Sequence, residues 1–202
     1  MKFSSTRRWT FLLPLVLAGC ASFAPPTISP EMAAARSYRE AIDLSGRLSV
    51  HYQSGGQNEA LHGSFVWAQN PERTNITLLS PFGQTMAMID VTPGGATLTQ
   101  AGRPARAATD PDALAAQALG WPLPVAGLRQ WLQGFGINAK GERFIATPQA
   151  ADVATRDGWQ IRYVDWQNDG PQAPIRPKRI DLARSTQQAG DVSIRIVIDN
   201  WQ

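Results

Sequence analysis

Much of this chain alternates apolar and polar residues with a period of two, which is typical of β-strands with one buried face. Residues 47–52 alternate in this way, and so do residues 61–67 after the turn Ser54-Gly55-Gly56-Gln57. Pairing the two segments across that turn places Val50 opposite Leu61, so both apolar sets share one face of the pair. The pattern therefore predicts a β-hairpin with a defined register.

The same alternation predicts further strands along the rest of the chain, at residues 74–79, 85–91, 96–100, 159–166, 179–183 and 192–198. The first two of these flank a tight turn, Ser80-Pro81-Phe82-Gly83, which is compatible with type I geometry. Large apolar residues are rare at turn tips, so Phe82 either faces solvent or another phase, or folds back over the end of the sheet.

Three helices are also predicted. The first begins after Ser29 at Pro30 and ends at about Asp43, the second covers residues 112–119, and the third covers residues 125–133. A long antiparallel sheet curls and needs a cover for its apolar face. Helices inserted mid-chain can supply that cover and enclose an apolar cavity.

The N-terminus has the features of a bacterial lipoprotein signal. Lys2, Arg7 and Arg8 precede a short apolar run, which ends in Leu17-Ala18-Gly19-Cys20. We predict a signal peptide over residues 1–19, a covalent lipid on Cys20, a Pro-rich tether over residues 20–30 and one domain over residues 31–202. An ordinary secretory signal that happens to end in Gly-Cys is the alternative.

Removal of that signal also removes the basic character of the chain. The chain has 19 Lys and Arg against 16 Asp and Glu, and Lys2, Arg7 and Arg8 account for the excess. A neutral mature domain argues against a nucleic-acid partner. Cys20 is the only cysteine, so no disulfide can form within the chain.

Catalytic and metal-binding motifs are weak or missing in the sequence. There is no Gly-x-Ser-x-Gly, no His-Glu-x-x-His and no phosphate-binding loop. His51 and His62 lie near each other on the polar face of the first hairpin, but two ligands without a third are more typical of solvated surface histidines. Arg129 is either a solvated helix-face charge, which we favour, or a lid contact. We expect no enzyme activity, no metal and no cofactor.

Several segments resemble the outer-membrane lipoprotein receptor LolB family. They are Ser45-Gly46-Arg47-Leu48, Gly63-Ser64-Phe65-Val66-Trp67 and Leu78-Leu79-Ser80-Pro81-Phe82-Gly83. The most specific is the run from Gly120-Trp121-Pro122 to Trp131-Leu132-Gln133-Gly134. Gly158-Trp159 and Asp199-Asn200-Trp201 also fit, so the resemblance covers most of the chain from about Gly46 to Trp201.

The resemblance implies a fold and a function. The fold is an open antiparallel half-barrel of about eleven strands, mainly β with some α, with a helical lid over an apolar cavity. The function is to accept acylated lipoproteins from the periplasmic carrier LolA and to insert them into the outer membrane. The protein would then be a lipid-anchored monomer that faces the periplasm. The alternative is a structural or assembly lipoprotein that binds protein or lipopolysaccharide.

Two sets of site residues follow from the resemblance. Pro81, Phe82 and Gly83 occupy the family's membrane-contact and delivery loop, and Phe82 is aromatic where an aliphatic residue also serves. The candidate cavity residues are large side chains predicted to face the interior, with methionine suited to acyl chains of varied shape. They are Phe65, Trp67, Leu78, Met86, Met88, Trp131, Tyr163, Ile194 and Ile196.

Overall fold

Strands dominate the computed structural model, which describes residues 36–170 and 173–202. The signal peptide, Cys20 and the tether lie outside these residues. The elements follow one another as β1 (Ile42–Ser54), β2 (Gln57–Gln69), β3 (Thr74–Leu79), β4 (Thr85–Thr92), β5 (Gly95–Thr99), β6 (Arg106–Ala108), α1 (Pro111–Leu119), α2 (Val125–Trp131), β7 (Phe135–Ile137), β8 (Arg143–Ile145), β9 (Asp152–Ala154), β10 (Gln160–Gln167), β11 (Arg176–Thr186) and β12 (Gly190–Trp201).

Ten of the strands form one sheet in the order β6-β5-β4-β3-β2-β1-β12-β11-β10-β9, and β7 pairs with β8 in a separate hairpin. All of these pairings are antiparallel. The sheet begins at β6 and ends at β9, so it is open and not closed into a barrel. This confirms the prediction of a mainly β fold with an open antiparallel sheet.

The first hairpin has the register that the alternation predicts, with Val50 opposite Leu61. Its two-residue loop consists of Gly55 and Gly56, whose φ angles are +58° and +81°. A two-residue loop with positive φ at both positions matches the right-handed twist of paired strands. The local chemistry of the turn therefore fixes the pairing of the two longest neighbouring strands.

One face of the sheet and the two helices share a single apolar core. On β12, for example, Val192, Ile194, Ile196 and Ile198 are buried, and the residues between them face outward. Helix α1 packs against β5 and β6 and also contacts α2, which in turn contacts β7. The helices therefore cover the apolar face between the two edges of the sheet, as expected.

The ends of helix α1 agree with the sequence prediction. The Asp110 carboxylate accepts hydrogen bonds from the backbone N–H groups of Asp112 and Ala113, and Gly120 ends the helix with a left-handed conformation. Helix α2 is shorter than predicted, because it ends at Trp131 and not at Gln133.

The first predicted helix is wrong where it can be checked. Residues 36–41 are not helical, and a strand begins at Ile42. The backbone of Arg39 exchanges two hydrogen bonds of 2.9 Å with the side chain of Gln133, and Leu44 pairs with both Trp201 and Trp67. Tertiary pairing therefore overrides a good local capping signal.

A buried arginine fixes this non-helical segment. Arg36 is 6% exposed and donates hydrogen bonds of 2.9 Å to the carbonyl oxygens of Ile175 and Ala146. Its guanidinium also lies over the rings of Phe135 and Trp166. Burial lowers the pKa of Arg36 to about 10. The positive charge is thus held by backbone carbonyls and aromatic faces.

The sequence prediction missed four strands, namely β6, β7, β8 and β9, each of three residues. A segment of three residues cannot display alternation, and these strands exist because a neighbouring strand supplies hydrogen bonds. The expectation of about eleven strands compares with ten in the main sheet and two in the hairpin.

Candidate functional site

The interior between the sheet and the helices is lined only by apolar side chains. Strands from both halves of the sheet contribute to it, and so do α2 and the segments on either side of that helix. The lining residues are Leu48, Phe65, Trp67, Ile76, Leu78, Leu123, Leu128, Leu132, Ile194 and Ile196.

This interior space is nearly filled by its own side chains. The cavity measures about 20 Å³, whereas pockets that hold small ligands measure about 300–1,000 Å³. The helices and the sheet are therefore packed closely together, and the cavity predicted from the sequence is not open in this structure.

Five of the predicted cavity residues line this space, and four do not. Phe65, Trp67, Leu78, Ile194 and Ile196 are lining residues. Trp131 and Tyr163 are buried in the same apolar cluster, and Met86 packs against it. The Tyr163 hydroxyl donates to the Trp131 carbonyl oxygen over 3.0 Å.

The placement of Met88 in the cavity is wrong. Its neighbour Ile89 points inward and is 1% exposed, and Met88 itself is 53% exposed on the opposite face. Met88 pairs with Thr77, which also lies on the outer face. The pairing of β3 with β4 has a register shift, because Leu78 pairs with Ala87 and Leu79 pairs with Thr85. Strict alternation counted from the turn therefore places Met88 on the wrong face.

Helix α2 takes its N-terminal cap from another helix. Pro124 precedes it and makes no side-chain cap hydrogen bond, but the Asp112 carboxylate of α1 accepts from the Ala126 backbone N–H over 2.9 Å. Burial raises the pKa of Asp112. Because one carboxylate bridges both helices, α1 and α2 are coupled to each other.

Arg129 links helix α2 to the sheet. Its guanidinium donates to the Thr74 hydroxyl at the start of β3 and, over 2.9 Å, to the Asn70 carbonyl oxygen in the β2–β3 turn. The interpretation of Arg129 as a solvated charge is therefore wrong, and the lid-contact alternative is right. This contact could not be predicted from neighbouring residues, because its acceptors lie more than fifty positions away along the chain.

The loop between β3 and β4 is held by a compact set of hydrogen bonds around Ser80. The Ser80 carbonyl oxygen accepts from the Gly83 N–H over 2.9 Å, and the Ser80 N–H donates to the Gln84 carbonyl oxygen over 2.8 Å. The Ser80 hydroxyl accepts from the backbone N–H groups of Phe82 and Gln84. The loop is thus a defined turn.

Phe82 stands at the tip of this turn with 92% of its surface exposed. Pro81 and Gly83 on either side are exposed as well, and the φ angle of Gly83 is +78°. Of the two alternatives from turn chemistry, the structure therefore selects the side chain that faces out. The hydrogen bonds of Ser80 thus hold an aromatic ring in solvent at the tip of the turn.

The described residues form neither a cluster of metal ligands nor a membrane-spanning helix. Within residues 36–170 and 173–202, no three His, Cys, Asp or Glu side chains cluster as metal ligands. His51 and His62 stack edge to face with ring centroids 6.1 Å apart. Neither described helix is both long and apolar enough to cross a bilayer.

Comparison with known proteins gives a consistent family match. The model of the family described as outer membrane lipoprotein LolB matches residues 40–201. The outer-membrane lipoprotein LolB of Cupriavidus pinatubonensis is 41% identical over 194 residues, which cover 92% of this chain and 89% of that protein. The same protein of Cupriavidus taiwanensis is 40% identical, with 93% and 92% covered.

Among solved structures, a LolA superfamily protein from Nitrosomonas europaea aligns with a TM-score of 0.45. The sequence identity is 8%, and the alignment covers 85% of this chain and 90% of that chain.

The contacts of Arg129 predict how the lid is held. Replacing Arg129 by Met removes charged hydrogen bonds worth about 1–2 kcal/mol, so the amides of residues 125–134 should exchange with solvent roughly tenfold faster. Hydrogen exchange measured by mass spectrometry tests this, with the amides of β1 and β12 as internal reference. Arg143→Met, which removes an exposed arginine of β8, is the control, and equal exchange in both variants would contradict the assignment.

Proposed function

The chain belongs to the LolB family of outer-membrane lipoproteins, and we propose that it is the outer-membrane receptor for lipoproteins. In this role it accepts lipoproteins from the periplasmic carrier LolA, holds their acyl chains between sheet and helices, and inserts them into the outer membrane. The proposal rests on family membership and on one observation, which is the wholly apolar lining beneath a two-helix lid. Membership in a family of lipoproteins is also consistent with a protein that is not an enzyme.

Acyl chains need such an interior to leave a carrier. Each methylene moved from water into an apolar site contributes about 0.8 kcal/mol. The release of a whole acyl chain into water is therefore strongly unfavourable. A sheet lined by side chains such as Leu48, Ile76 and Ile194 offers that site once the helices separate from it. The bound chains replace lid side chains as partners of the sheet, so apolar contact is kept in both states.

The lid is suited to reversible opening. Arg129 attaches it to Thr74 and Asn70 near the surface. The C-terminal end of α2 is held separately, because Tyr163 donates to the Trp131 carbonyl oxygen. Asp112 couples α1 to α2, so one opening motion exposes the lining. No phosphate-binding loop occurs in the sequence, and we propose that transfer runs from weaker to stronger acyl binding, where a tenfold preference needs about 1.4 kcal/mol.

The exposed Phe82 supplies the contact with the membrane. Its ring is almost fully exposed on a turn that Ser80 holds in place. Moving such a ring from water into the acyl region is worth about 1.5–3 kcal/mol. That is enough to bring the loop to the bilayer without anchoring it there permanently.

We further propose that the mature chain is anchored through lipid on Cys20 and faces the periplasm. The signal-like sequence before Cys20 and the names of the relatives support this location. A single acyl chain binds a membrane only marginally, so stable anchoring requires more than one. The domain would then work at the end of a tether of about ten residues.

If the interior binds acyl chains, loosening the lid should increase the affinity of the protein for them. Arg129→Met should bind a fluorescent fatty acid about fivefold more tightly than the parent chain, because less free energy is needed to open the lid. Fluorescence titration without nucleotide measures this. Met88→Asp, on the outer face, is the control and should bind like the parent. A folded parent chain that binds no acyl chain would rule out the proposal.

Insertion of lipoprotein into a membrane should depend on Phe82 and not on an exposed apolar residue elsewhere, such as Ile137. Phe82→Asp should keep the thermal midpoint and acyl binding but insert lipoprotein into liposomes at least tenfold more slowly, because a carboxylate opposes membrane entry. Ile137→Asp is the matched control, since Ile137 is 51% exposed on a different hairpin. Unchanged delivery by the Phe82 variant would leave the loop without this role, and a large loss of stability would mean that its ring is buried.

The anchor is tested by mass spectrometry of the mature N-terminus. We expect cleavage before Cys20 and a mass increase that corresponds to three acyl chains. Cys20→Ser should retain the uncleaved signal, because the lipid-bearing thiol is missing. A mature chain that begins at an unmodified Cys20 would contradict the prediction.

A further inference from the structure

The outer face of the sheet carries a groove next to the Phe82 loop. It measures about 490 Å³, and one wall is the loop itself, through Ser80, Pro81 and Gly83. The floor comes from β1, β2 and β12, and it includes Arg47, Arg195, His62 and Ser64. The loop therefore leans over the outer face, on the side of the sheet opposite the apolar interior.

Both arginines of the groove keep donors for a further acceptor. Arg47 uses Nε and Nη2 to bind the Asp199 carboxylate, each over 2.9 Å, and its side chain is 67% exposed. Arg195 contacts Asp181 through Nε at 3.3 Å and is 54% exposed. A guanidinium has five N–H donors, so each carboxylate orients its arginine and still leaves an Nη group directed to solvent.

Arg195 does not have a carboxylate of its own. Asp181 is shared between Arg195 and Arg179, so one carboxylate faces two guanidinium groups. Serine hydroxyls and the His62 ring complete the lining with further donors. A planar, charged donor set with hydroxyl neighbours matches a phosphate oxyanion.

The groove lies close to the Phe82 loop along the sheet. Arg47 pairs with Ser64, and Ser64 pairs with Leu79 at the base of the loop. Two inter-strand steps of about 4.8 Å give roughly 10 Å between Arg47 and the loop. With the outer face of the sheet against the membrane, this distance runs along the bilayer surface. Arg47 and the Phe82 ring can therefore contact neighbouring lipids of one leaflet.

We propose that this groove binds the phosphodiester of a membrane phospholipid while Phe82 enters the acyl region. The inference rests on the proposed delivery function and adds the lipid group that the loop recognises. Arg47 and Arg195 hold the phosphate, Ser64 and His62 add donors, and the outer face of β1, β2 and β12 lies against the membrane. The apolar interior then faces away from the lipid surface on the other side of the sheet.

The chain offers matched controls for each arginine. Arg195 and Arg179 share Asp181, but only Arg195 lines the groove. Arg47 and Arg162 each pair with one aspartate on the outer face, at Asp199 and Asp152, but only Arg47 lines the groove. Replacement by Gln in each pair therefore removes the same charge and the same kind of ion pair.

The test uses the full chain incorporated into two kinds of vesicle and lipoprotein loaded on its carrier. One vesicle contains phosphatidylethanolamine and phosphatidylglycerol, and the other contains a galactolipid without phosphate. The rate of lipoprotein insertion is measured by flotation. We expect the parent chain to be at least about fivefold faster with phospholipid, because each arginine near an anionic surface contributes about that factor.

Arg47→Gln with Arg195→Gln should abolish this preference and leave insertion into galactolipid vesicles unchanged. Arg179→Gln with Arg162→Gln should keep the preference. A preference retained by the groove variant, or lost equally in both pairs, would overturn the inference. Insertion into neither vesicle by the parent chain would instead refute the delivery function. If the double variant unfolds, Arg195→Gln alone decides, because Asp181 keeps Arg179 as partner.

Discussion

The structure depends on the need to cover one apolar face of an open sheet. Ten strands curl without closing, so their inner side chains cannot bury themselves against one another as in a closed barrel. Two short helices complete the core, with Leu128 and Val125 buried against it. Such helices are marginal on their own, so their position depends on the sheet. A cover that depends on the apolar sheet face for its stability can exchange those contacts for contacts with an apolar ligand, as the proposed function requires.

Two polar contacts that position the cover lie near the surface. The Asp112 carboxylate caps α2 from outside the helix, and Arg129 fixes the other side to the β2–β3 turn. Both contacts join residues far apart in sequence, and both are partly exposed, so water can replace them when they break. Buried Arg36 behaves differently, because it is enclosed by carbonyls and rings. The helices are therefore joined to the rest of the chain by contacts of both kinds, because buried Tyr163 also donates to the Trp131 carbonyl oxygen at the end of α2.

Turns and caps that depend on neighbouring residues could be predicted from the sequence. The paired glycines of the first hairpin, the Asp110 cap and the turn at Phe82 were all readable from neighbouring residues. Features that depend on residues far away along the chain could not be predicted in this way. The expected helix before Asp43 yields to strand pairing, Met88 changes face through a register shift, and Arg129 finds acceptors across the core. Family resemblance supplied the function, because alternation alone indicates a covered, curved sheet.

The two faces of the sheet divide the work that we propose for the protein. Apolar side chains such as Ile194 and Ile196 face the lid, while Arg195 between them points to the outer groove. In the proposed mechanism one strand therefore serves acyl binding on one face and headgroup binding on the other, through the strict alternation of its side chains. The β3–β4 loop lies at one end of the sheet and lines the outer groove. Under the proposal, chains that leave the interior at this end would pass around the end of the sheet to reach the bilayer.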